Sequence, residues 1–219
     1  MAFHGKLAAM LIQILKSSQL PALLILLSLA SGCATDHRVN INPELYLREN
    51  DMGQGMKVSV KVIDKRARRA IFEKDSGLKT PLVGPLGKVN IYPKGSVDDP
   101  IETQVRNGLR RLGFLPVESN QEADRRLEVQ ILHLRMLTNF EDPKIKIPQK
   151  KVRLRTALGV LASKPDKKYK KLYQTYQDKS QNLLTGEFKN EQFINNAISL
   201  TLQKMFEDPA FRLFLSPEE

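Results

Sequence analysis

Three runs of alternating apolar and polar residues follow one another between Arg126 and Gln177, and they limit the fold more than any other feature of the chain. From Arg126 to Leu137, the residues Leu127, Val129 and Ile131 recur at every second position. From Lys150 to Leu161, the residues Val152, Leu154, Leu158 and Val160 take one side, while Lys151, Arg153 and Arg155 take the other. From Lys168 to Gln177, the residues Tyr169, Tyr173 and Gln177 fall together. A period of two sends successive side chains to opposite faces, so each run predicts a strand with one buried face. Consecutive strands of this kind predict an antiparallel meander, with Pro143 and Pro148 in its first loop.

The rest of the pattern surrounds that meander. Met56, Val58, Val60 and Val62 alternate with Lys57, Ser59 and Lys61, which predicts a half-buried strand ending at Asp64. Residues 67–87 carry Gly77, Pro81, Gly84, Pro85 and Gly87 and read as loop, followed by a short strand from Lys88 to Tyr92. Asp98-Asp99-Pro100 opens a helix, with an Asp as cap and proline in the first turn. Ile101, Val105, Leu109 and Leu112 form its apolar stripe, Gly113 stops it, and Phe114 to Glu118 reads as a brief strand. A second helix runs from about Glu191 to Phe206, with Ile194, Ala197, Ile198, Thr201, Leu202 and Met205 on one stripe, and Asp208-Pro209 breaks it. Phe211 to Leu215 predicts a last apolar turn docked on the domain. Clustered strands with two helices predict an α+β fold: a two-layer sandwich in which a mixed, mostly antiparallel sheet carries both helices on one face.

No disulfide can staple this fold. The only cysteine, Cys33, stands behind the apolar run Leu20 to Leu29, with Lys6 and Lys16 upstream and no acidic residue before Asp36. A positive start, a short apolar core and small residues at the end are the layout of a secretory signal, and this run, apolar except for Ser28, is about half of what a membrane-spanning helix needs. Lys16, Ser17, Ser18, Gln19 and Pro21 interrupt the longer segment from Leu7 to Leu29. Leu29-Ala30-Ser31-Gly32-Cys33 resembles the lipobox of bacterial lipoproteins, in which the cysteine is acylated and becomes the first residue of the mature chain. Several acyl chains on one residue make a lasting tether, each buried methylene contributing about 0.8 kcal/mol. The residue after the cysteine is Ala34 rather than Asp, which by the sorting rule of such proteins implies the outer membrane. The reading divides the chain into a signal at 1–32, a lipidated cysteine and polar tether at 33–55, and one periplasmic α+β domain at 56–219.

The formal charge is +11, and between Lys144 and Lys179 twelve cations face only Asp166 and Asp178. In an exported, tethered chain such a surplus points away from nucleic acid and toward anionic lipid, lipopolysaccharide phosphates or an acidic protein face. Lys151, Arg153, Arg155, Lys168, Lys170 and Lys171 are the candidates for a basic binding face, with Tyr169, Tyr173 and Tyr176 interleaved. The same lysines also suit a solvated sheet face that resists edge aggregation.

Evidence of chemistry is sparse. His4 leaves with the signal, His37 lies in the tether and His133 sits on a strand among apolar neighbours, as a structural histidine does. No spacing suits a zinc site and no nucleophile elbow is present, so neither metal nor cofactor is expected and the chain reads as non-enzymatic. Gly84-Pro-Leu-Gly-Lys88 lacks the spacing of a phosphate loop and reads as a turn. Asp64 and Arg66 at a strand end form a possible secondary site or a salt-bridged terminus.

The layout as a whole resembles the YajG family of bacterial lipoproteins. The resemblance rests on the lipobox at Cys33, on Ile41-Asn42-Pro43, and on Val58-x-Val60-x-Val62-x-Asp64-x-Arg66. It continues through Leu112-Gly113-Phe114, Ala123-Asp124-x-x-Leu127-x-Val129-x-Ile131-x-x-Leu134, and the terminal helix with Asp208 to Leu215. The loop from Arg68 to Gly87 and the lysine-rich strands depart from it. The resemblance implies location and fold more than chemistry. Together with the basic strands it suggests a binding or accessory module of an envelope complex, the alternative being an accessory that binds or carries lipid or lipopolysaccharide.

Overall fold

The structure, a computed structural model, describes residues 35–73, 89–140, 150–180 and 187–217. Cys33, the signal segment, Lys144 and Lys146 lie outside the described residues. One compact unit comprises Asp36–Glu73 and Val89–Glu219.

The strands are β1 (Thr35–Val39), β2 (Lys57–Asp64), β3 (Phe72–Glu73), β4 (Val89–Pro93), β5 (Leu115–Val117), β6 (Arg125–Phe140), β7 (Lys150–Lys164) and β8 (Lys167–Ser180). The helices are α1 (Asp98–Arg111), α2 (Glu187–Phe206) and α3 (Pro209–Leu215). The architecture is α+β, with a five-stranded sheet in the order β5-β2-β6-β7-β8. The meander is present: β6 pairs antiparallel with β7 and β7 with β8. β2 runs parallel to both of its neighbours, β5 and β6, which makes the sheet mixed. The single sheet of the sequence reading is corrected: β1, β4 and β3 form a second, three-stranded sheet. The Ile71 carbonyl beside β3 accepts from the Met136 N–H at 2.7 Å, which ties the small sheet to β6.

The core lies between one face of the large sheet and the helices. Val58, Val60, Leu127, Val129, Leu154, Leu158 and Val160 are buried on the sheet side, and Ile101, Val105, Leu109, Ile194, Ile198 and Leu202 on the helix side. The two long helices meet at Gly108, where an added Cβ would fall 2.6 Å from the ring edge of Phe206 and 2.8 Å from Leu45. β6 keeps both of its halves in this core by a bulge between Ile131 and His133. The extra residue restores the inward phase, so Leu134 and Met136 are buried after Leu127, Val129 and Ile131.

α1 also completes a sheet edge. Pairing of β2 with β5 ends at Ser59 and Val117. Beyond that point the Val62 N–H donates to Glu102 Oε2 at 3.2 Å, and Arg106 donates to the carbonyls of Val60 at 3.4 Å and Val117 at 3.1 Å. The helix pair Glu102–Arg106, itself joined at 2.7 Å, thus stands in for a missing strand and blunts the edge. The start of α1 differs from expectation: its cap position is Val97, and the Asp99 N–H is taken by Ser96 Oγ at 3.1 Å. Gly113 stops the helix as read, with φ at 81°.

The tether assigned to residues 33–55 is corrected from residue 36 onward. Val39, Ile41 and Leu45 are buried, and so is Pro43, while Asn40, Asn42 and Glu44 alternate outward. The N–H groups of those three residues donate to Glu191 Oε2 at 2.8 Å, Asn195 Oδ1 at 2.8 Å and Ser199 Oγ at 2.9 Å. Two extended residues rise about 6.6 Å and four helical residues about 6 Å, so every second backbone donor meets every fourth side chain of α2. Polar composition suggested a free arm; alternation on a helical ladder makes it part of the packed domain.

Candidate functional site

Because successive side chains of a strand alternate, the large sheet has a second face, opposite the helices. Arg126, Glu128 and Gln130 of β6, Arg153, Arg155, Leu161 and Ser163 of β7, and Lys168, Lys170, Leu172, Tyr176 and Asp178 of β8 project there. β2 adds Lys57, Ser59 and Lys61. Leu172 and Tyr176 are about half exposed, at 51% and 52%. Among the described residues, the helices cover only the other face.

The expected basic residues divide into four groups. Lys168 and Lys170 stand exposed on the open face. Arg153 and Arg155 share that face but are engaged across it: Arg153 makes two 2.7 Å bonds to Asp178, and Arg155 lies 5.8 Å from the Tyr176 ring centre. Lys151 holds its place in the β7 ladder opposite Ser180, and its side chain is outside the described set. Lys171 is a correction, because an odd position on β8 turns inward. Its ammonium donates to Asp208 Oδ2 at 2.8 Å. Tyr169 and Tyr173 turn inward too, and both hydroxyls donate to the same oxygen of Asp208. Asp208 Oδ1 meanwhile accepts from the Ala210 N–H at 3.1 Å and caps α3. Burial raises the Asp208 pKa, but hydrogen bonds from Lys171, Tyr173 and Tyr169 outweigh it and hold the carboxyl well below the usual carboxylate range. Burial, then the bond to Asp208, pushes the Tyr173 hydroxyl far up. This cluster locks the C-terminal helix to the sheet.

The possible secondary site is an ion pair. Arg66 donates to both Asp64 oxygens, at 2.9 and 2.8 Å, and its side chain is only 4% exposed. Burial raises the Asp64 pKa, but the Arg66 bonds and charge prevail and lower it. His133, which the bulge turns to the open face, is exposed rather than set among apolar neighbours. Burial, with the charges of Arg155 and Arg135, lowers its pKa. Among the described residues no group of three His, Cys, Asp or Glu is placed to hold a metal.

Sequence reasoning missed two cations. The β ladders align Ser59, Arg126, Ser163 and Lys168 in one row across four strands, and Lys61, Glu128, Leu161 and Lys170 in the next. Small residues between large ones leave a hollow of about 480 Å³, lined by these residues with Ser119 and Tyr169. The outward phase of Ser59, Lys61 and Arg126 was readable; the β6–β7–β8 register that sets Arg126 in the row of Lys168, and the β2–β6 pairing that adds Ser59 and Lys61, were not.

An α+β domain whose large sheet, among the described residues, has one face uncovered by helices is the class these observations define. The chain belongs to a family described as uncharacterized lipoprotein, whose family model matches residues 43–216, nearly the whole compact unit. No curated protein matches the sequence. Solved structures are similar at low identity. A Xanthomonas campestris protein has 13% identity and a TM-score of 0.44, over 79% of this chain and 93% of that one. A minor lipoprotein from Acinetobacter baumannii has 12% identity and a TM-score of 0.42, over 75% and 96%. The rare lipoprotein B from Shewanella oneidensis has 10% identity and a TM-score of 0.38, over 68% and 92%. Likeness of this degree carries no functional argument.

Proposed function

We propose that the chain is a non-enzymatic lipoprotein of the outer membrane, held by acylated Cys33 and facing the periplasm, that serves an envelope complex as a binding module. The surface it presents is the open face of the large sheet. The observation that carries this reading is the face itself: half-exposed Leu172 and Tyr176 lie between exposed Lys168 and Lys170 at one end of β8 and the Arg153–Asp178 pair at the other, on a sheet whose described helices lie opposite. An apolar centre with a charged rim is the anatomy of a protein interface. The outer-membrane assignment rests on Ala34 after the cysteine, and the narrower YajG assignment on the order of motifs along the chain.

The test is in-cell cross-linking followed by capture of the full-length protein, beside the variant K168E/K170E/Y176E. All three side chains are exposed, so the variant is expected to fold with an unchanged melting temperature. The expected outcome is loss of the captured partner. Equal capture by both forms would leave the face as solvated surface. One feature, the hollow beside Lys168, favours the second reading, an accessory that binds or carries lipid or lipopolysaccharide.

A further inference from the structure

The hollow has a composition that the rest of the face lacks. Arg126 and Lys168 stand on either side of Ser163 in one row. Adjacent strands are about 4.8 Å apart, so the two cations spring from points about 10 Å apart with a hydroxyl between them. Lys61 and Lys170 flank the next row, and Ser59 and Ser119 add two more hydroxyls to the lining. Whereas Arg153 is bound to Asp178 and Lys171 to Asp208, none of these four cations forms an ion pair with a described residue. The one carboxylate in the lining, Glu128, accepts from the Gln130 side chain at 2.6 Å. Leu161 supplies the apolar part of the floor, beside the backbone of Leu127 and Ala162, whose side chains turn to the core.

We propose that this hollow binds a phosphate ester. Arg126 and Lys168 close on the phosphate oxygens from both sides, and Ser163 donates from below. A guanidinium matches two phosphate oxygens at once, and ammonium groups complete the charge balance without fixed geometry. The roughly 480 Å³ volume lies within the range of small-molecule sites and exceeds one phosphate, so the remainder accepts the organic part of the ester. The apolar floor suits an acyl or sugar-linked group. This deepens the second reading above, on which it rests only for the source of the ester: a lipid headgroup at the membrane.

The test uses the full-length protein in neutral detergent micelles, with binding read by calorimetric titration. The probes are lysophosphatidic acid, monoacylglycerol, which lacks the phosphate, and soluble glycerol phosphate. Lysophosphatidic acid is expected to bind, monoacylglycerol is not, and added salt is expected to weaken binding because the contacts are charged. R126E is expected to lose about tenfold or more of the affinity through charge reversal at a paired anion. S163L, which fills the hollow without changing charge, is expected to lose a similar factor. If glycerol phosphate binds as tightly as lysophosphatidic acid, the phosphate site stands and the lipid source falls. If no phosphate probe binds, or if both variants, folded by melting temperature, bind like the parent, the proposal is overturned. Because R126E and S163L leave Lys170, Leu172 and Tyr176 in place, partner capture by these variants reports separately on the protein-docking reading.

Discussion

Replacing Asp208 by alanine is expected to remove about 3 kcal/mol of stability, combining a lost helix cap with loss of the charged acceptor that Tyr169, Tyr173 and Lys171 share in a largely buried cluster. The carboxyl is 11% exposed, and its two oxygens serve four donors: the Ala210 N–H, Tyr169, Tyr173 and Lys171. Asp208→Asn retains a capping oxygen and loses the charge, so its cost is expected to be smaller. Both are measured by denaturant unfolding of the full-length protein. The pH dependence gives a second reading of the same cluster. The carboxyl pKa is depressed by folding, so its contribution is complete above the ordinary carboxylate range, near pH 4, and fades as pH falls further. The gap between parent and Asp208→Ala is therefore expected to be constant near neutrality and to shrink below about pH 4. Tyr173 acts in the opposite sense. Its raised pKa stabilises the fold at neutral pH, and that contribution is lost as pH rises above about 10. A gap that is the same at pH 3 and pH 7 would contradict the assignment.

Phe206→Ala is expected to cost about 3–5 kcal/mol, the range for removing a large aromatic from a core. The ring is fully buried, packs edge-on against Phe211 with ring centres 6.0 Å apart, and touches the helix crossing at Gly108. The crossing itself is tested by a double-mutant cycle. In an ordinary helix interior, glycine to alanine gains roughly 1 kcal/mol. Here the new methyl would overlap the Phe206 ring and Leu45, both of which are buried and hemmed in. Gly108→Ala alone is therefore expected to destabilise by about 1–3 kcal/mol through overpacking. In the Phe206→Ala background the same change fills vacated space and is expected to be neutral or stabilising. Additive effects in the cycle would mean that the helices do not meet at this point.

The fold was legible where period and chain length agree. The meander, the β2 alternation and both long helices follow from patterns that local physics enforces. What escaped is set by pairing between distant segments. β3 is two residues long and carries no pattern, so the second sheet could not be read. The bulge in β6 shifts the phase by one residue, which alternation alone shows only as a break. The arm from Asn40 to Glu44 bonds to side chains some 150 residues away on α2. In the candidate site, Lys168 and Lys170 were found as neighbours in a basic run. Counting charge along the chain also gathered Lys171, which strand phase turns inward to Asp208. Arg126 was passed over because the exact register of the meander, Arg126 to Ser163 to Lys168, is not visible in alternation, and Lys61 because only the parallel register of β2 on β6 brings it into the row of Lys170.

The measurement that bears most directly on the central claim is site-specific photo-cross-linking in living cells, with the reactive residue placed at 172 or 176 on the open face and at 200 or 213 on the helix layer. All four positions carry exposed side chains, so each can report contact. A binding module that works through the open sheet face gives the same defined adduct from 172 and 176 and none from 200 or 213. Adducts from the helix layer with the sheet positions silent would contradict it and move the functional surface to the opposite side of the domain.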